Sequence, residues 1–172
     1  RFLIEGRDTR LLLDCGLFQG MGADERNVPA PPTSWSRLDG VVLSHGHLDH
    51  SGYLPVLVRA GYRGPIHCTP ATAEMVALIL RDAARLQHEA ARRGGYDDAL
   101  YDEDDVDQLL SQRVVHPYGA TFRIGQLEAR LRRAGHILGS ATIELRERGA
   151  YDATLVYSGD LGRARHPMLR AP

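Results

Sequence analysis

Two β-sheets packed face to face and flanked by helices, an α/β fold of the α+β type, is the architecture this 172-residue sequence predicts. Three observations carry that expectation. Short apolar runs bounded by Gly, Pro and Asp mark buried strands early in the chain. Helical patterns occupy its middle. The last third alternates apolar and polar residues with period two, and strands, helices, then strands without strict βαβ alternation favour two packed sheets.

The elements follow in order. Phe2-Leu3-Ile4 pairs across the turn Glu5-Gly6-Arg7-Asp8 with the apolar strand Arg10–Gly16. Asp14 closes that strand beside a glycine, where it either caps the turn or supports a site from behind. Gly20 to Arg37, with Pro29, Pro31 and Pro32, reads as an irregular surface loop, with Trp35 as a lid over apolar surface. Gly40-Val41-Val42-Leu43 is a short β-branched strand, and Ser51 to Val58 reads as a turn leading into a short helix. Pro65–Thr69 is a further strand, in which His67 belongs to the core or an edge.

Thr69 and Pro70 supply an N-cap and a proline at the first helical position. Met75, Leu78, Ile79 and Leu86 predict the apolar face of a helix ending near Arg92-Arg93-Gly94-Gly95, with His88 towards solvent. An acidic helix from about Glu103 to Gln112 turns Val106, Leu109 and Leu110 inward. Thr121–Gly125, Leu127–Arg132, Ser140–Leu145 and Ala153–Tyr157 then read as strands.

One domain of this length can bury a real core. A hydrophobic content of 43% with 25% charged residues is ordinary for a globular protein. No apolar run approaches membrane-spanning length and no leader pattern opens the chain. The chain opens on Arg1 and stops at Pro172 without a closing element, which reads as a piece cut at both ends. Cys15 and Cys68 lack motif spacing and read as buried thiols of a reducing, cytoplasmic compartment. A net charge of −1 excludes a global positive field for nucleic acid. All 21 basic residues are arginine, and Arg130, Arg132 and Arg133 form the best local cluster.

Chemistry concentrates in Leu43–Gly52, where His45, His47, Asp49 and His50 directly follow a strand. His45 and His47 are two apart, so extended backbone projects both imidazoles to one side. Asp49 and His50 come after the turn has begun and point elsewhere, so one metal can take the first pair and a second the other. Imidazole and carboxylate suit zinc, and also manganese or iron. Two later strands end at Gly135-His136 and Ser158-Gly159-Asp160, again a glycine followed by a ligand-type residue.

Leu43–Gly52, Gly135-His136 and Ser158-Gly159-Asp160 resemble the second, third and fourth metal motifs of the metallo-β-lactamase fold, and Asp14 matches its first. Asp14-Cys15-Gly16-Leu17-Phe18-Gln19-Gly20, Ala134–Ala141 and Tyr157–Gly162 are similar to the β-CASP branch of RNA-processing nucleases. The resemblance implies an αββα sandwich of which residues 1–172 are the N-terminal portion, without the β-CASP domain. It implies that His45, His47 and His136 hold one zinc, that Asp49 and His50 hold a second, and that Asp160 bridges them. Asp49 and Asp160 would then act in catalysis on RNA. The family's later histidine ligand and its general acid have no counterpart here, and His166 reads as a surface residue, so residues 1–172 alone are expected to be inactive. RNA is the implied partner, with no membrane contact, and any homo-oligomer would form through other parts. A thioester or lactone hydrolase of the same superfamily and a non-catalytic RNA-processing scaffold are the alternatives.

Overall fold

The computed structural model describes residues 1–93, 99–147 and 153–172. Its first sheet has the order β1 (Phe2–Glu5), β2 (Arg10–Leu13), β3 (Gly40–Val42), β4 (Ile66–Cys68), β5 (Arg113–Val115). β1 runs antiparallel to β2, while β2, β3, β4 and β5 are parallel. The second sheet is an antiparallel meander of β6 (Thr121–Ile124), β7 (Leu127–Arg133), β8 (Ala141–Glu147) and β9 (Ala153–Tyr157).

Strand alternation sorts the side chains into two cores. Leu11, Leu13 and Val42 face the second sheet and meet Phe122, Ile124, Leu127, Leu131, Ile143 and Leu145. Leu12, Val41 and Ile66 point the other way, into α3 (Leu54–Arg59), α4 (Pro70–Arg92) and α5 (Glu103–Ser111). Each such fully buried leucine or isoleucine contributes about 1.5–3 kcal/mol. The described residues therefore supply three layers: helices, sheet, sheet.

Local chemistry sets the helix ends. The Thr69 hydroxyl accepts the Thr72 N–H at 3.2 Å, and Pro70 begins α4. Asp102 and Asp105 form a reciprocal capping box that starts α5. Val106, Leu109 and Leu110 are buried as expected.

Four expectations are corrected. The inner face of α4 is Thr72, Ala73, Val76, Leu80 and Ala84, while Leu78 and Leu86 are 69% and 54% exposed. Small residues let the helix lie close to its neighbours, so the largest side chains do not mark the buried stripe; the Gly94-Gly95 stop lies outside the described residues. Gly20 to Arg37 is not wholly irregular, since it contains α1 (Ala23–Asn27) and a 3₁₀ turn (Thr33–Arg37). The Asn27 side chain ties that loop down by bonding both the N–H (2.8 Å) and the carbonyl (2.9 Å) of Phe18. β5 is a strand the sequence reading passed over, because Val114 and Val115 lie at an edge and half-exposed. Finally, helix begins at Leu48 rather than after Ser51, in α2 (Leu48–Ser51).

Trp35 packs on the helix-side core as a partial lid. Cys15 and Cys68 are buried free thiols, and burial pushes both up to about 12, so neither is reactive.

Candidate metal centre

The strand ends of both sheets meet at one edge, and there the candidate ligands gather. β3 ends at Val42, and the next residues carry His45 and His47 over the top of the sheet to α2. The Gly46 backbone lies on Met75, Val76 and Ile79 of α4, within 3.2–3.6 Å of where a side chain would begin. α2 is clamped to the end of β2 by three backbone bonds: Cys15 N–H to the His50 carbonyl (2.7 Å), Leu17 N–H to the Leu48 carbonyl (2.8 Å) and Tyr53 N–H to the Cys15 carbonyl (2.9 Å). That approach requires glycine at position 16, because a Cβ there would lie 1.6 Å from the Asp49 carbonyl oxygen.

The His136 turn is built separately. The Ser140 hydroxyl accepts the N–H groups of His136 (3.0 Å) and Ile137 (3.2 Å). The Gly139 carbonyl accepts the hydroxyls of Thr69 (2.7 Å) and Thr72 (2.9 Å) at the start of α4. The Asp160 loop then docks on it, with Gly162 N–H donating to the Ala134 carbonyl at 2.8 Å.

Nδ1 of His47 lies 3.1 Å from Nε2 of His45 and 3.2 Å from Nε2 of His136. One atom each from His45, His47, His136 and Asp160 falls within 4.8 Å of the others. Asp160 also faces the second group: one carboxylate oxygen is 3.4 Å from His136 and 3.8 Å from His45, and the other is 3.3 Å from Nε2 of His50. Asp49 is exposed, with its carboxylate 3.8 Å from Nε2 of His50. The sequence-predicted residues are thus brought to one place, in two groups that share Asp160.

Behind them sits Asp14, 1% exposed and with φ of 53°. Aspartate tolerates this left-handed backbone better than most residues. Its carboxylate accepts the N–H and hydroxyl of Ser44 (both 2.7 Å), the hydroxyl of Tyr157 (2.8 Å) and Nδ1 of His50 (2.7 Å). Because Ser44 Oγ gives its one proton to Asp14, its lone pair is left for Nδ1–H of His45 at 3.0 Å. Both imidazoles therefore turn an unprotonated Nε2 towards the cluster. Burial, together with neighbouring His50, lowers the His45 pKa to about 4, keeping it neutral. Burial also opposes the charged form of His50, but the Asp14 hydrogen bond and charge outweigh it and raise that pKa. Burial and the neighbouring Asp14 push the Tyr157 hydroxyl up, so it stays a donor.

This donor set fits a divalent cation. Nitrogens at about 2.0–2.1 Å from a tetrahedral zinc lie about 3.3 Å apart, close to the spacings found here. One imidazole proton cannot serve three converging ring nitrogens, whereas a cation satisfies every lone pair at once. These residues can hold metal ions.

Ser44, Tyr157, Ser140 and Thr72 were not singled out from the sequence. Ser44 and Tyr157 each adjoin a ligand-bearing turn, which is the only sequence signal they carry. His166 is outside the cluster, its Nδ1 accepting the N–H groups of Met168 (3.1 Å) and Leu169 (3.0 Å). His67 is buried among the sheets at 6% exposure, with Nδ1 2.9 Å from Nε2 of His116.

Comparison with known proteins agrees with this geometry. The profile of the metallo-beta-lactamase superfamily matches residues 2–133. The chain is 38% identical over 163 residues to ribonuclease TTHA0252 of Thermus thermophilus, covering 95% of this chain and 35% of that protein. It is 39% identical over 165 residues to the transcription termination factor FttA of Cenarchaeum symbiosum, covering 92% of this chain and 24% of that one. The chain thus spans about a quarter to a third of the length of these relatives. Among solved structures, the FEZ-1 metallo-beta-lactamase of Legionella gormanii superposes with a TM-score of 0.57 at 15% identity, covering 92% of this chain and 56% of that one. YhfI of Bacillus subtilis, a metallo-beta-lactamase fold protein, gives 0.53 at 19% identity, covering 92% and 53%. Profile, strand order and the gathered histidines agree: the chain belongs to the metallo-β-lactamase superfamily.

Proposed function

We propose that the intact protein hydrolyses RNA phosphodiester bonds at a two-zinc centre, with His45, His47 and His136 on one zinc, Asp49 and His50 on the other, and Asp160 shared. The observation that carries this reading is the Asp160 carboxylate, whose two oxygens face the two histidine groups separately. RNA as substrate is supported by relatives named as a ribonuclease and a transcription termination factor. In this reading the ligand that closes the Asp49–His50 side, and the general acid, come from outside residues 1–172.

Zinc bound there supplies an acidified water and positive charge for the developing phosphate oxyanion. The chain's own groups orient and exchange protons. Asp49, exposed in the first turn of α2, accepts a hydrogen bond from the attacking water and sets its line towards phosphorus. Asp14 keeps His50 in the tautomer whose Nε2 is a free donor atom, and Ser44 does the same for His45. The clamp of α2 on Cys15 and Leu17 holds Asp49 at a fixed offset from Asp160.

The direct test is Asp49→Ala in the intact protein, assayed on labelled single-stranded RNA. Cleavage is expected to fall at least about a hundredfold. Unchanged cleavage removes Asp49 from the reaction.

A further inference from the structure

We propose that the rim of the metal centre formed by Tyr118, Arg133 and Arg170 binds the RNA backbone beside the bond that is cut. The inference deepens the nuclease reading above and rests on it.

A net charge of −1 conceals an uneven distribution of arginines. Arg10, Arg59, Arg81, Arg85, Arg93, Arg123, Arg132 and Arg146 each lie within 4.0 Å of a carboxylate. Among the described residues, Arg1, Arg7, Arg26, Arg37, Arg63, Arg92, Arg113 and Arg130 have no such partner, and neither do Arg133, Arg163, Arg165 and Arg170, all four of these last exposed. Of these, Arg133, Arg163 and Arg170 gather. Arg133 stands three residues before His136 and Arg163 three after Asp160. Those two turns are joined by the Gly162–Ala134 hydrogen bond at 2.8 Å. Arg170 lines one small cleft with Tyr118, Arg133, Leu138 and Leu169. Arg133, Arg163 and Arg170 thus bring unpaired positive charge to the turns on which two candidate ligands enter the centre, as gripping a phosphate chain requires.

The cleft is also rigid. The Arg133 guanidinium lies 4.5 Å over the Tyr118 ring. The Tyr118 hydroxyl donates to the Ser140 carbonyl at 2.9 Å, and Ser140 Oγ accepts the His136 N–H at 3.0 Å. Stacking therefore sets the guanidinium fork at a defined distance from His136 before any ligand arrives, which lowers the ordering cost of gripping a phosphate. Leu138, 59% exposed on the same turn, offers an apolar flank for a ribose or base. An acyl substrate without phosphates has no use for two unpaired arginines at this rim.

The experiment uses the intact protein, wild type and variants, with a fluorescent single-stranded RNA. Binding is read by anisotropy in chelator across a range of salt, and zinc content and the KM for cleavage are measured alongside. Combining Arg133→Gln with Arg170→Gln is expected to weaken binding at least about tenfold. The slope of log K against log salt should fall by about 1.4, at about 0.7 per lost phosphate contact. KM should rise, and zinc content should match wild type. Arg133→Lys should restore the salt slope but only part of the affinity, because an ammonium cannot stack as guanidinium does. Unchanged affinity and slope in a protein that still cleaves RNA overturn the subsite and leave the nuclease reading standing. Loss of zinc together with RNA binding also overturns it, by making Arg133 a structural support of the turn. Wild-type protein that neither binds nor cleaves RNA sinks the nuclease reading itself.

Discussion

Asp14 accepts a 2.7 Å hydrogen bond from Nδ1 of His50, a residue 36 positions further along the chain. That contact adds a side-chain link to the backbone bonds that hold α2 on the end of β2, and it decides which nitrogen His50 presents to Asp49 and Asp160. It also helps explain a buried carboxylate, since both oxygens of Asp14 accept from named donors, one from the Ser44 N–H and the other from Ser44 Oγ, His50 and Tyr157.

Replacing Asp14 by Asn tests the contact without changing the backbone preference, since Asn tolerates the same conformation. The amide cannot accept from His50, Ser44 and Tyr157 together. Zinc affinity of the intact protein should fall about 10–100-fold, as read by competition with a chromogenic chelator. Wild-type affinity in this variant would mean that Asp14 does not orient the site.

Ser140→Ala removes one hydroxyl that serves two N–H groups, those of His136 and Ile137. Ser140 is 1% exposed, so water does not replace it freely. The loss is expected to cost about 1–3 kcal/mol of stability, seen as a lower midpoint in urea, together with weaker zinc binding through a loosened His136. A drop in stability with metal affinity intact would confine Ser140 to the fold.

His67 predicts a pH dependence of folding. Burial first, and the neighbouring His116 second, lower its pKa to about 4. Its unfolded value is about 6.5, so between those limits the unfolded chain binds the extra proton. Stability is therefore full above about pH 6.5 and falls as the pH drops towards 4, by up to about 1.4 kcal/mol per unit. Urea midpoints measured from pH 7 to 4.5 should show this slope, and His67→Gln should reduce it, leaving the part due to His45, whose pKa burial also lowers to about 4. Equal slopes in the two proteins would show that some other group drives acid unfolding.

Much of the architecture was legible in the residues. Thr69-Pro70 marked the start of α4, and the alternation of Leu127, Ala129 and Leu131 marked the buried face of β7. The buried stripe of α4 was not legible, because Ala73 and Ala84 face inward while Leu78 and Leu86 do not. Size ranks side chains by what they gain from burial, but close helix packing selects the small ones. β5 escaped notice because three residues at an edge carry too few side chains to show a period.

The candidate ligands divide in the same way. Spacing alone brought out His45, His47, Asp49 and His50, because two-residue and one-residue separations are local and the backbone fixes them. That His136 and Asp160 join them depended on the resemblance, and their distances of 3.2 Å and 3.8 Å from His47 and His45 belong to the tertiary structure. By itself, the sequence determined the identity of the ligand-type residues and the strand ends on which they sit. Only the fold decided that Asp160 faces both histidine groups, that Asp14 stands behind His50 and that Arg133 lies on Tyr118. Such contacts arise when separate strands are packed edge to edge, and no local propensity records which distant side chain will be across the gap.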